Sequence, residues 1–162
     1  MFYRALSIKF LEGIVVEATF QQGIIKRLDL EKLIPETPAF AALRDRKLFE
    51  SGYLDPGGWG IIWNDFVDIS VDGIFDYGET VGTIKVPLKN KLGVQIQELR
   101  ENRNLYQNDL AKKTGIDQGD ISKIEDGQKN ITLSTLERLA DGLDCDVEIK
   151  FIKKKLDKAQ SQ

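Results

Sequence analysis

The chain has no histidine, and only one cysteine, one methionine and four prolines among its 162 residues. Without imidazole it lacks both the commonest general base and the commonest metal ligand. A single Cys145 permits no internal disulfide, which fits a reducing cytoplasm. Lacking a His partner, its thiol reads as a small buried hydrophobe rather than a nucleophile. No apolar run approaches the roughly 18 residues of a membrane helix. The opening MFYRALSIKFLEG carries charges where a signal peptide needs an apolar stretch. Gly57-Gly58-Trp59-Gly60 has neither the spacing nor the following helix of a phosphate-cradling loop. Asp65, Asp68, Asp72, Asp76 and Glu79 do not match a calcium-loop template and read as a solvated face with turn caps. The expectation is a cytoplasmic protein that is no enzyme, holds no metal or cofactor and does not enter a membrane.

What the chain does hold is 41% hydrophobic and 30% charged residues, an ordinary globular balance. The charge is unevenly placed. Residues 1–88 carry nine Lys+Arg against thirteen Asp+Glu, whereas residues 89–156 carry thirteen against twelve. The acidic half therefore comes first and a nearly neutral, slightly basic half follows.

In the first half, Phe2–Leu11, Ile14–Phe20 and Ile24–Leu30 are rich in aromatic and β-branched residues. Gly13 and the Gln21-Gln22-Gly23 turn separate them, so they read as antiparallel strands. Thr37-Pro38 starts a helix carrying Phe40, Ala41 and Leu43, and Leu48 and Phe49 sit on a further short turn. After the Asp55-Pro56-Gly57-Gly58 turn, a strand over 59–63 puts Trp59, Ile61 and Trp63 on one face, packed on the Phe40–Leu43 helix. The stretch NDFVDISVDGIFDYGE reads as a turn and a short helix. The expected domain, 1–80, is α+β with one small antiparallel sheet, and 81–90, with Pro87, is the expected linker.

The second half has a different period. Leu92, Ile96, Leu99 and Arg103 are spaced by four, three and four, one helix face. A helix follows from Gln107 to Thr114, with Leu110 and Ala111 inward and Gly115 beyond its end. Another runs from Gln118 to Asp126, capped by Asp117, with Ile121 and Ile124 on one side and Gly127 as its stop. A fourth opens at Thr132 with Leu133, Leu136, Leu139, Ala140 and Leu143 inward. Residues 91–145 are thus an all-α unit. The alternation of Val147, Ile149 and Phe151 against Glu148 and Lys150 predicts a strand over 146–152, in need of a partner. A frayed tail is expected over 153–162.

Two helices joined by a tight Gly-containing turn, the second short and polar outside, form a helix-turn-helix. The residues Arg100, Leu105, Gln107, Leu110, Ala111, Gly115, Ile116, Gln118, Ile121, Ser122, Ile124, Glu125, Gly127, Asn130, Leu133, Leu136, Leu139 and Ala140 resemble the phage-repressor (Cro-type, also called XRE) helix-turn-helix family. On that resemblance, Gln107 contacts phosphate, Lys129 and Asn130 touch backbone, and Glu125 is structural. Tyr106 stands where the family usually has a Ser or Thr cap. The first half resembles a bacterial family of small domains of unknown function, sometimes fused to a helix-turn-helix. The likeness lies in the opening strands, Asp29-Leu30, and the run from Gly60-Ile61-Ile62-Trp63 through Asp68 to Tyr77.

A major groove about 12 Å wide admits one helix, whose N-terminal side chains read base edges. Gln118, Gly119, Ser122 and Lys123 lie opposite Ile121 and Ile124. Gln pairs bidentately with adenine, Lys reaches guanine acceptors, and Asp120 can accept from a cytosine amine. Against DNA stand the two negative charges of Asp117 and Asp120 on that face and the chain's net charge of −3. The expected protein is a homodimeric transcriptional repressor bound to double-stranded DNA at an inverted repeat. The alternative is an antitoxin or protein-interaction module with a small protein partner, in which the helix-turn-helix serves autoregulation.

Overall fold

The computed structural model describes residues 3–152. Strands β1 (Ala5–Phe10), β2 (Val15–Phe20) and β3 (Ile24–Asp29) form an antiparallel meander. Val16, Ala18 and Phe20 alternate into the core, the period of two that a half-buried strand requires. A second sheet holds β4 (Tyr53–Leu54), β5 (Gly60–Asn64) and β6 (Val67–Ser70). One buried core joins Val16, Ala18 and Phe20 of the first sheet and Ile61 and Ile69 of the second to Leu30, Phe40, Leu43, Phe49, Val71 and Ile74. Trp63 joins them and donates its indole N–H to the Phe49 carbonyl at 2.8 Å, so its polar atom is satisfied inside the core.

Several expectations change here. Pro38–Arg44 is a 3-10 helix rather than an α-helix, and Thr37 makes no side-chain cap. Phe40 and Leu43, three apart, share the buried face of that three-residue turn. Leu48 and Phe49 lie on α1 (Arg46–Glu50). The expected turn is there at Asp65-Phe66, but it leads into β6 over Val67–Ser70 rather than into a helix, and the single sheet becomes two. Val67 and Ile69 point inward, and Ser70 caps α2 (Val71–Tyr77) through its hydroxyl. Trp59 precedes β5 and does not share the Ile61–Trp63 face. It is 42% exposed, its backbone amide held by the Asp55 carboxylate.

The linker is shorter than the 81–90 expected. Glu79–Thr83 is β7, paired antiparallel with β3 at the edge of the first sheet. The residues after it stay attached: Ile84 N–H donates to the Gly23 carbonyl at 2.8 Å, and Val86 is buried.

The second unit contains α3 (Leu88–Glu101), α4 (Gln107–Thr114), α5 (Gln118–Glu125) and α6 (Leu133–Gly142). Ile96, Leu110, Ile116, Ile121, Ile124, Leu139 and Leu143 form its core. Gly115 ends α4 in the left-handed conformation, and the Thr132 hydroxyl caps α6. Leu133, expected inward, is exposed at the first position of α6.

Residues 146–152 form no strand. They have no ladder partner among the described residues, and an unpaired strand does not hold itself. Their alternation survives as a surface: Val147 and Ile149 line an apolar groove with Leu88, Leu92 and Leu136 of α3 and α6. The tail expected over 153–162 lies outside the described residues. Among those described, no helix is long and apolar enough to cross a membrane.

Candidate nucleic-acid interface

Helix α5 presents two unlike sides. Ile121 and Ile124 are buried against the other helices, whereas Gln118 and Lys123 are exposed and Gly119, Asp120 and Ser122 half-buried. The expected reading side therefore faces outward, and the N-terminal unit meets α5 at its far end.

A chain of hydrogen bonds supports this side from within. Arg100 and Glu125 form a bidentate pair, Nε to Oε1 at 2.7 Å and Nη2 to Oε2 at 2.8 Å. They are 7% and 3% exposed. The Glu125 carboxylate holds the Arg100 guanidinium above its usual range, against the opposing cost of burial. Arg100 also donates Nη1 to the Leu105 carbonyl at 2.8 Å, which fixes the α3–α4 loop.

Glu125 takes a further hydrogen bond from Gln107 Nε2 at 2.8 Å, and Gln107 Oε1 accepts from Gln118 Nε2 at 2.7 Å. The carboxylate only accepts, so Gln107 must turn its NH2 inward and its oxygen toward Gln118. The Cro-type resemblance implies a phosphate contact for Gln107. The structure places it between the buried ion pair and Gln118, with a hydrogen bond to each.

The two acids set against DNA are both occupied. Asp117 spends its carboxylate on the Gly119 N–H at 2.8 Å, as an N-cap. Asp120 is paired with Lys129 at 2.5 Å, and that ammonium holds its carboxyl below the usual range. Lys129 is thereby engaged as well, whereas Lys123 and Asn130 stay exposed. At the start of α4, Tyr106 supplies no side-chain cap, but the Asp109 carboxylate accepts from the Tyr106 amide at 2.9 Å. Half of a capping box thus replaces the missing Ser or Thr.

Asp120→Asn should free Lys129 and remove one negative charge from this surface. The expected result is tighter binding to every duplex, with the log–log salt slope steeper by about one. Fluorescence anisotropy across a salt series measures both. Unchanged affinity at low salt would show that Lys129 does not face phosphate.

Sequence reasoning missed the Arg100 partnership. A signal was present: Arg100 falls four residues after Ile96, on the buried face of α3, where a charge needs a partner.

The features assembled here are those of a DNA-reading helix-turn-helix: an outward polar helix side, a short Gly-capped turn before it and a buried brace behind. Comparison with known proteins agrees. Residues 96–150 match the family described as "Helix-turn-helix", and residues 5–80 match "Protein of unknown function (DUF2442)". The C-terminal unit is a Cro/XRE-type helix-turn-helix domain, a DNA-binding module of transcription regulators, joined to an N-terminal DUF2442 domain.

Solved structures similar to the chain include the restriction-modification controller protein C.AhdI from Aeromonas hydrophila. It is 34% identical over 34% of this chain and 83% of its own, with a TM-score of 0.34. The controller protein C.Esp1396I, as a tetramer with its natural 35 base-pair operator, is 32% identical over 38% and 82%, with a TM-score of 0.37. The clp gene regulator ClgR from C. glutamicum is 21% identical over 38% and 80%, with a TM-score of 0.38. No curated protein matches the chain.

Proposed function

We propose that the protein is a sequence-specific transcriptional repressor that acts in the cytoplasm by binding and not by catalysis. Two copies bind an inverted repeat, each placing α5 in the major groove. The observation that carries this reading is the outward side of α5, where Gln118, Ser122 and Lys123 stand free of the N-terminal unit and Gln118 is held by Gln107. Half-sites of such a dimer fall about 34 Å apart, one turn of the duplex. Pairing is supported by the apolar groove between α3 and α6 and by the exposed Leu88, Leu133 and Phe151.

Selection of bound sites from random duplexes tests the proposal. An inverted repeat with half-sites one turn apart is the expected product. Gln118→Ala should then cost about 1–3 kcal/mol at one base pair of each half-site and leave binding to unrelated DNA unchanged. No enrichment at low salt would overturn the reading.

A second reading, a module that also holds a small protein partner, is favoured by Phe66 and Tyr77, aromatic and largely exposed on the N-terminal unit. Co-purification of a stoichiometric partner would support it.

A further inference from the structure

The last turn of a helix leaves carbonyls without intrahelical partners. At the end of α5 two of these are satisfied by the chain itself. The Ile124 carbonyl accepts from Gly127 N–H and the Lys123 carbonyl from Gln128 N–H, a reversal that Gly127 permits through its φ of 68°. The next two are satisfied from more than a hundred residues away. Gln21 Nε2 donates to the Glu125 carbonyl at 2.6 Å, and Arg4 Nη1 donates to the Asp126 carbonyl at 3.0 Å.

Both donors are anchored in the N-terminal sheet. Gln21 is 2% exposed, and its backbone N–H bonds the Arg4 carbonyl at 2.9 Å. Arg4 Nε donates to the Gly57 carbonyl at 2.8 Å. The Gln21 amide also donates to the Asn90 carbonyl at 3.3 Å, so one side chain ties the start of α3 to the end of α5. On the α3 side the fit leaves no space. A Cβ at Gly93 would collide with the carbonyl oxygens of Ile124 and Glu125.

We propose that the N-terminal unit sets the orientation of the reading helix, with Gln21 and Arg4 as positioning residues that cap its C-terminal end. The proposal rests on α5 being the groove-reading helix. Eight residues span about 12 Å, so a pivot of about 10° at the capped end moves the Gln118 end by about 2 Å. A hydrogen bond to a base edge tolerates only a few tenths of an ångström. A cation at the C-terminal end of a helix also complements its dipole, which suits Arg4 to the position.

The test uses the full chain with Gln21→Met, which keeps side-chain length and apolar contact but removes both donors, and with Arg4→Met and Arg4→Lys. Affinity is measured for the selected operator and for a scrambled duplex of equal length. Gln21→Met and Arg4→Met should each lower operator affinity on the order of tenfold, leave scrambled-duplex affinity within about twofold, and leave the salt slope unchanged. Arg4→Lys, with one donor and the charge restored, should recover part of the loss. A fold defect alone would weaken both duplexes in parallel, and that outcome would overturn the proposal. So would an unchanged operator-to-scrambled ratio in both Met variants.

Amide hydrogen exchange over 124–128 gives a readout without DNA. It should quicken in Gln21→Met while α4 and α6 stay protected, and unchanged exchange overturns the clamp. If the wild-type chain itself shows no operator preference, the DNA-reading assignment fails, and the exchange result alone then decides whether the clamp exists.

Discussion

Glu125→Ala is expected to destabilise the helix-turn-helix unit by about 3–5 kcal/mol, the usual consequence of removing one partner from a buried ion pair. Arg100, 7% exposed, would keep its charge at any accessible pH and lose both hydrogen bonds to the carboxylate. Gln107 would lose its acceptor at the same time, and Gln118 would lose its orienting neighbour. A loss of that size is comparable to the whole stability of a small domain, so most of the helical unit should unfold at ambient temperature. Far-UV circular dichroism follows the helices. Tryptophan fluorescence follows the N-terminal unit, because Trp59 and Trp63 both lie there. Replacing both partners by apolar residues, Arg100→Met with Glu125→Leu, should recover most of the stability. It should not recover operator specificity, since Gln107 would still have nothing to hold it. A Glu125→Ala midpoint shifted by less than the equivalent of about 1 kcal/mol would show that water reaches Arg100 and that the pair is not buried in solution.

Helices α4, α5 and α6 were legible in the sequence because they carry their own punctuation, and α3 by its apolar spacing alone. Asp117 and Thr132 cap, Gly115 and Gly127 stop, and the apolar spacing between them is helical. The outward side of α5 followed from the same period. Of the three strands that the pattern does not reveal, β4 has only two residues and is too short to show a period, and β6 and β7 fail for different reasons. In β6 the alternating Val67 and Ile69 are interleaved with Asp68 and Ser70, and the carboxylates imitate a turn. In β7 the residues Glu79–Thr83 have little apolar content, as befits an edge strand, and so resemble a linker. The C-terminal alternation misleads, since a period of two shows that a segment has two faces and not that a neighbour exists to bond it. For long-range pairs the sequence shows at most that a partner is needed, as at Arg100 on its buried helix face, and not which residue supplies it. Arg100 and Glu125 stand 25 residues apart and Arg4 and Asp126 122 apart, and no local pattern connects them. The support of α5 is thus a tertiary property, although the helix itself is a local one.

Leu133→Glu combined with Ile149→Glu should convert the proposed dimer to a monomer and reduce affinity for the proposed inverted repeat at least about 100-fold, the lower end of what joining two binding modules confers. Both positions border the groove between α3 and α6, and Phe151 beside them is fully exposed. Contiguous apolar surface of this kind marks an association site, and a second copy satisfies the two-fold symmetry that an inverted repeat demands. The substitutions are chosen so that unfolding cannot account for the result. Leu133 is the first residue of α6, where a carboxylate complements the helix dipole, and Ile149 lies in no regular element. Melting should therefore stay within about 0.5 kcal/mol of the wild type. Affinity for a single half-site should also be preserved, because Gln118 and its brace lie elsewhere on the unit. Sedimentation equilibrium gives the mass and anisotropy the two affinities. A wild-type chain that sediments as a monomer at concentrations where it fills the operator would exclude the pre-formed dimer. A doubly substituted chain that still binds as a pair would move the interface to another face.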